Sequence, residues 1–178
     1  MVYVTGDGNY LLQGELVDID EQRSLTEEVR AGIRQERLAD LDESGMLIYE
    51  PSGEVRHEVT VFTDIDCPYC RRFHAHMDEL LERGIRVRYL LMPRAGRDSA
   101  SYDKAVNAWC AEDPQSALTR AKQGERLAEQ DCDHPVDEHL RLARELGVRG
   151  TPTLYTGEGR MLSGYRTPDE LESALDGG

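Results

Sequence analysis

The chain contains no apolar run approaching the length of a bilayer span, and Met1-Val2-Tyr3-Val4-Thr5-Gly6-Asp7 lacks the basic start and apolar centre of a signal peptide. The expectation is a soluble protein whose export is not encoded in these residues. Basic side chains are in deficit, 21 Lys and Arg against 35 Asp and Glu, for a formal charge of -14. Phosphate surfaces attract Lys and Arg, so neither nucleic acid nor an anionic membrane is an expected partner. Repeats and low-complexity tracts are absent, and the tyrosines form no stacking pattern. What remains is 178 residues with 39% hydrophobic content, enough for one compact core plus an appendage.

Cysteine is scarce, and its placement carries chemistry. Cys67-Pro68-Tyr69-Cys70 follows the run Val59-Thr60-Val61-Phe62-Thr63 and opens an amphipathic stretch, Phe73, Met77, Leu80 and Leu81. Two thiols therefore sit on a strand-to-helix turn. Unpaired N–H groups and the positive dipole end of a helix stabilise thiolate, the form that attacks disulfides. Cys67, at the N-cap and nearer solvent, is the expected attacker. Cys70, one turn inside, is placed to resolve a mixed disulfide. Pro68 fits the first helical position, where its missing N–H costs nothing. Arg71 and Arg72 either support the thiolate or face water, and the surface reading is favoured. Asp64 and Asp66 are read as turn formers.

Cys110 and Cys132 form a second pair. Bridged, they would imply maturation in an oxidising compartment. The alternative is zinc, but neither has a partner at C-x-x-C or H-x-x-x-H spacing, and His74 and His76, the available extra ligands, are expected on the exposed face of the redox helix. Trp109 and Tyr102 are read as core packing.

The first fifty residues differ from the rest. Val2-Tyr3-Val4 and Tyr10 to Val17, separated by Thr5-Gly6-Asp7-Gly8-Asn9, read as a hairpin that needs another sheet or chain to cover its apolar face. Ser24-Leu25-Thr26-Glu27 has capping-box form and starts a connector helix, with Leu25, Val29, Ile33, Leu38 and Leu41 inward, ending near Ser44-Gly45. Its charged face, including Glu27, Glu28, Arg30 and Arg34, is read as solvated. Met46 to Glu50 and Glu58 to Phe62 are expected strands. Helix 67–82 then leads to the strand Ile85 to Leu90 in a β-α-β unit. Helices near Ser101 to Ala111, Pro114 to Lys122 and Pro135 to Leu146 form an inserted lobe. Strands Thr153 to Tyr155 and Arg160 to Leu162, and a helix from Thr167-Pro168 to Leu175, close the chain.

This order, an α/β arrangement with Gly150-Thr151-Pro152 ahead of an antiparallel strand pair, resembles the thioredoxin fold with a helical insertion. Within it, Val61-Phe62-Thr63-Asp64-Ile65-Asp66-Cys67-Pro68-Tyr69-Cys70, Gly84 to Leu90, Pro93-Arg94, Trp109-Cys110-Ala111, Cys132-Asp133, Leu146-Gly147-Val148 and Gly150-Thr151-Pro152 are similar to the bacterial periplasmic disulfide isomerases of the DsbC/DsbG type. The resemblance implies a cis-proline at Pro152, with the Thr151 backbone free to pair with substrate across the active cysteines. It also implies a structural disulfide between Cys110 and Cys132, as in the DsbC branch, whereas Pro68 in the tetrad is closer to the DsbG branch. Residues 1–20 resemble the end of the family's dimerisation domain, 21–45 its linker helix and 46–178 its catalytic domain, so the chain is expected to be N-terminally truncated.

The activity so implied is isomerisation or reduction of wrong disulfides in misfolded exported proteins. No cofactor or metal is required. A membrane reductase of the DsbD type would reset the cysteines, and the family's homodimer and periplasmic location would carry over. Two other readings stand beside it. One is a glutaredoxin- or thioredoxin-like reductase, since glutaredoxins also carry Cys-Pro-Tyr-Cys. The other is a non-enzymatic holdase for unfolded chains, whose binding would survive loss of both active cysteines.

Overall fold

The computed structural model describes residues 1–177. Two short antiparallel pairs open the chain, β1 (Val2–Val4) with β2 (Leu11–Gln13) and β3 (Val17–Asp18) with β4 (Arg23–Ser24). The second strand expected from Tyr10 to Val17 is thus split at Gly14 into two pieces. Helix α1 (Leu25–Ala39) follows, and a 3-10 turn at Glu43–Gly45 leads to β5 (Leu47–Tyr49). The main unit continues with β6 (His57–Thr63), α2 (Pro68–His74), α3 (Met77–Glu82) and β7 (Ile85–Leu91). An inserted lobe holds α4 (Ala100–Trp109), α5 (Pro114–Lys122) and α6 (Val136–Glu145), and β8 (Thr153–Thr156), β9 (Met161–Ser163) and α7 (Pro168–Asp176) close the fold.

The main sheet has the order β5-β7-β6-β8-β9. β6 is its centre, parallel to β7 and antiparallel to β8. Strand residues alternate between faces, so Val59, Val61, Val87 and Tyr89 join one core with Phe73, Leu80, Leu118 and Leu171. Phe62 and Leu90 face a second, smaller core with Leu38, Leu142, Val148 and Tyr155. Helices pack on both faces of the sheet, and β6 and β7 keep polar residues such as Thr60, Arg86 and Arg88 at alternate positions among their apolar ones. The expected α/β thioredoxin arrangement with a helical insertion is the one observed.

The single redox helix expected over 67–82 is instead two helices, broken at Ala75 and His76. The break falls where His74 turns inward, and Phe73 on one side with Met77 and Leu80 on the other all reach the core. Helix α1 also departs from expectation. Ser24 Oγ accepts from the Glu27 N–H at 3.1 Å, but the Glu27 carboxylate pairs with Arg34 and does not return to Ser24, so half of the capping box forms. Val29 and Ile33, expected inward, are 53% and 52% exposed. The buried face of α1 carries Thr26, Arg34 and Leu38. Thr26 accepts from the Leu16 N–H at 2.7 Å and bonds Tyr3, which ties the hairpin to the helix. Tyr10, Leu11 and Leu12 on the hairpin remain exposed.

The far end of α1 is seated on the main unit. Arg34 donates to the Gly159 carbonyl, Arg37 meets Glu145 at 2.7 Å, and Leu38 enters the smaller core. Gly159 has φ +77°, and a Cβ there would collide with the Ala31 carbonyl and approach the Gln35 backbone nitrogen to 2.6 Å. The turn between β8 and β9 thus needs glycine for both its conformation and its contact with α1.

Cys110 and Cys132 are bonded to each other across a sequence separation of 22, with Cα atoms 5.7 Å apart, and clamp the end of α4 to the loop before α6. Sulfurs bonded to each other supply no thiolates to zinc, which removes the alternative built on this pair.

Two variants test this architecture. Replacing both Cys110 and Cys132 by Ala should lower unfolding stability by roughly 3 kcal/mol, the loop-closure value for this separation; a denaturant midpoint unchanged from wild type would refute the clamp. Gly159→Ala should cost about 2 kcal/mol or more and speed hydrogen exchange in α1 above all, and exchange as slow as wild type there would show that α1 does not depend on this contact.

Candidate active site

Cys67 occupies the N-cap of α2 and Pro68 its first turn. The Arg71 N–H bonds the Cys67 carbonyl at 3.0 Å, closing the first turn, and leaves the Cys67 sulfur at the positive end of the helix dipole. The approach is fixed from the other side by Asp64, buried after β6. Its carboxylate accepts from the Asp66 N–H at 2.8 Å, and from the Arg94 N–H and Nε at 3.0 and 2.9 Å. Asp64 is therefore a turn former, as expected, and in addition the anchor for Arg94 on the loop after β7. Asp66 pairs with Lys104 of α4 at 2.7 Å.

Opposite the sulfurs, the Thr151-Pro152 bond is cis, and the Cys67 thiol donates to the Thr151 carbonyl at 3.2 Å. The structure thus brings Cys67, Cys70, Thr151 and Pro152 into one site, with Pro68 and Tyr69 exposed at its rim. Cys110 and Cys132 lie apart in the inserted lobe. Both active thiols are free, and both residues are 1% exposed. The expectation that Cys67 lies nearer solvent is not met in accessible area, because the Thr151-Pro152 loop covers it.

The difference between the two thiols is chemical. Burial pushes the Cys67 thiol up, but hydrogen bonds from the Thr151 side chain, from Cys70 and from the Tyr69 N–H outweigh it, leaving the thiol below its ordinary value. The Thr151 hydroxyl is buried and, among the described residues, has no partner while Cys67 is protonated, so it is available to the thiolate. For Cys70 burial wins. Its thiol stays above the ordinary value despite the Lys122 charge, the Asp64 N–H and the hydroxyls of Thr151 and Thr63.

Arg71 donates through Nε to the Ile65 carbonyl at 2.8 Å and so braces the turn. Arg72 is exposed and lies over the rings of Tyr69 and Tyr165, at 5.7 and 5.6 Å. The surface reading fits Arg72, whereas Arg71 is half-buried. His74, expected on the exposed face, is buried. It hydrogen-bonds Tyr89 at 3.2 Å and Thr119 at 2.9 Å, and burial, helped by the Lys122 charge, pulls its pKa down to about 3, so it stays neutral.

Sequence reasoning missed Lys122 altogether. It closes α5, is 4% exposed, and donates to Thr63 Oγ1 at 2.8 Å at the end of β6. Burial lowers its pKa to about 8, against the opposing pull of Cys70, Asp64 and Cys67. A lone lysine in an amphipathic helix has no signature in sequence. Only the docking of α5 beneath the site brings it there.

A family profile described as "Thioredoxin-like domain" matches residues 50–177, and one described as "Disulfide bond isomerase protein N-terminal domain" matches residues 1–27. The chain is 34% identical over 176 residues to "Thiol:disulfide interchange protein DsbC" of Escherichia coli strain K12, covering 99% of this chain and 73% of that protein. The protein of the same name from Haemophilus influenzae is 35% identical, with 99% and 75% covered. Among solved structures, a disulfide interchange protein from Neisseria gonorrhoeae superposes with a TM-score of 0.67 at 29% identity, over 77% of this chain and 97% of that one. The catalytic domain of Proteus mirabilis ScsC, at 23% identity and a TM-score of 0.62, covering 83% of this chain and 97% of that one, shares the fold.

The opposed shifts have a direct readout. In the reduced protein, alkylation of Cys67 should reach half its maximal rate at a lower pH than an unperturbed thiol does, and alkylation of Cys70 at a higher one. Mass spectrometry of peptides quenched along a pH series checks this, and coincident profiles for the two thiols would contradict the assignment.

Proposed function

The chain belongs to the DsbC family of thiol:disulfide interchange proteins, and from that premise we propose that Cys67 is the attacking nucleophile and Cys70 the resolving one. The enzyme is a thiol:disulfide oxidoreductase of the disulfide isomerase class. The observation that carries the assignment is the Cys67 thiol, lowered below its ordinary value at the N-cap of α2 and facing Thr151.

Cys67 thiolate attacks a substrate disulfide, forming a mixed disulfide and releasing one substrate thiolate. In isomerisation another substrate thiolate attacks the substrate sulfur joined to Cys67, a new substrate disulfide forms, and Cys67 leaves as thiolate with no net redox change. In reduction Cys70 attacks the Cys67 sulfur, the substrate leaves with both its sulfurs reduced, and the Cys67-Cys70 pair is oxidised by two electrons. A reductant must then reset the pair, and a membrane reductase of the DsbD type is the proposed donor. Substrate backbone pairs beside Thr151 and Pro152, where the loop lies against both sulfurs. Tyr69, exposed at the rim, gives the substrate an apolar contact.

The proposed clients are misfolded exported proteins in the periplasm. The proposed division is a partial dimerisation hairpin over 1–20, a linker helix over 21–45 and a catalytic unit over 46–178, supported by the family match at 1–27 and by the seating of α1. Exposed Tyr10, Leu11 and Leu12 on a hairpin that cannot bury them alone support a homodimer, in which a second chain covers this face.

Reduced protein mixed with a scrambled-disulfide enzyme, without added reductant, should restore that enzyme's activity. The Cys67→Ser variant should restore none. Recovery in Cys67→Ser would remove Cys67 as the attacker, and reduction of the substrate without recovery of activity would redirect the assignment to a reductase.

A further inference from the structure

Packing gives no account of Lys122. The residue is 4% exposed, and among the described residues its side chain has one hydrogen-bond partner, Thr63 Oγ1 at 2.8 Å, with no carboxylate in ion-pair contact. Its nitrogen lies 5.5 Å from the centroid of the Tyr89 ring. An ammonium buried without a counter-ion is costly, and an apolar side chain of similar length would fill the same space at lower cost. A charge kept in such a place must face a group that becomes negative during turnover.

Cys70 is that group. Thr63, which accepts the Lys122 hydrogen bond at 2.8 Å, ends β6 just ahead of the turn that delivers the cysteines, and its hydroxyl and the Lys122 charge both pull the Cys70 thiol down. The charged and titratable groups around Lys122 are Cys67, Cys70, Arg71 and His74 of the α2 segment, Asp64 after β6, and Tyr89 on β7. His74 is neutral, Arg71 repels, and Asp64 is already engaged by Arg94. The remaining anion for Lys122 to meet is a cysteine thiolate, and Cys70 is the one whose thiol both the Lys122 charge and the Thr63 hydroxyl lower.

We propose that Lys122, acting through Thr63, is the positioning residue that makes Cys70 competent to resolve the mixed disulfide, and so sets how often the enzyme releases a substrate by reducing it. The inference rests on Cys70 being the resolving thiol. In the step concerned the Cys70 thiol gives its proton to solvent base and its sulfur bonds to the Cys67 sulfur. The bond from Cys67 to the substrate sulfur breaks, and the substrate sulfur leaves as thiolate and takes up a proton. The cysteine pair loses two electrons and the substrate disulfide has gained two. Removing the ammonium leaves Cys70 protonated for longer and prolongs the mixed disulfide, which gives substrate thiols more time to resolve it by isomerisation.

The test uses the reduced full chain and one equivalent of dithiobis-nitrobenzoate. Attack by Cys67 releases a first thionitrobenzoate and leaves the second on Cys67, and attack by Cys70 releases the second, both followed by stopped-flow absorbance. Lys122→Met should slow the second release about tenfold at neutral pH and move its pH midpoint upward by about one pH unit. The first release should change less, and the melting temperature should hold or rise because a buried charge is gone. A second release as fast as wild type with the same midpoint overturns the proposal. So does an equal slowing of both releases with no change in midpoint, the mark of a merely structural role. Thr63→Val, which removes the hydroxyl and keeps the shape, should also slow the second release selectively, and it decides the matter if Lys122→Met fails to fold; an unchanged second release in it overturns the proposal. Cys70→Ser is the separate control. A second release as fast as wild type in that variant would refute the resolving role of Cys70 itself, whatever Lys122 does.

Discussion

Everything in this structure is arranged around two sulfurs held out of water at the end of the central strand. A thiolate there cannot be stabilised by bulk solvent, so fixed protein dipoles and charges must do it. β6 has strand neighbours on both sides, which makes its end a rigid platform. From that platform the Asp64 turn delivers Cys67 to the N-cap of α2, the Thr151-Pro152 loop closes from the facing side, and Lys122 comes up from beneath. The asymmetry between the thiols follows: Cys67 is reached by more donors than its burial opposes, and Cys70 is not.

The same constraint explains the use of ion pairs. Most of the excess acid on this chain is solvated, but Asp64 is buried and bound through both backbone and side chain to Arg94. A charge-assisted contact of this kind holds a loop in register better than it stabilises the fold. Its effect is on the position of the residues between β6 and α2, where a small displacement would separate the sulfurs from their donors.

The N-terminal segment obeys another logic. Thr26, Arg34 and Leu38 fasten α1 to the hairpin at one end and to the β8–β9 turn at the other, while Val29, Ile33, Tyr10, Leu11 and Leu12 are left uncovered. The seated end is specific, with a glycine that admits no side chain. The open end has the apolar surface that a second chain would cover in the proposed homodimer.

What the residues declare locally was legible in advance. The apolar run into Cys67-Pro68-Tyr69-Cys70, the alternation of Ile85 to Leu91 and the Thr-Pro ahead of β8 specify strand, turn and helix within short windows, and their order specifies the fold. What depended on distant partners was not legible. His74 looks like any surface histidine until Tyr89 and Thr119 enclose it, Val29 and Ile33 have helical spacing yet no core to enter, and Lys122 acquires a meaning only when α5 docks beneath Thr63. The physical reason is that helix, strand and cap preferences are set by neighbours in sequence, whereas burial and electrostatic environment, which decide the chemistry of a thiol or an ammonium, are set by whichever segments the fold brings around it.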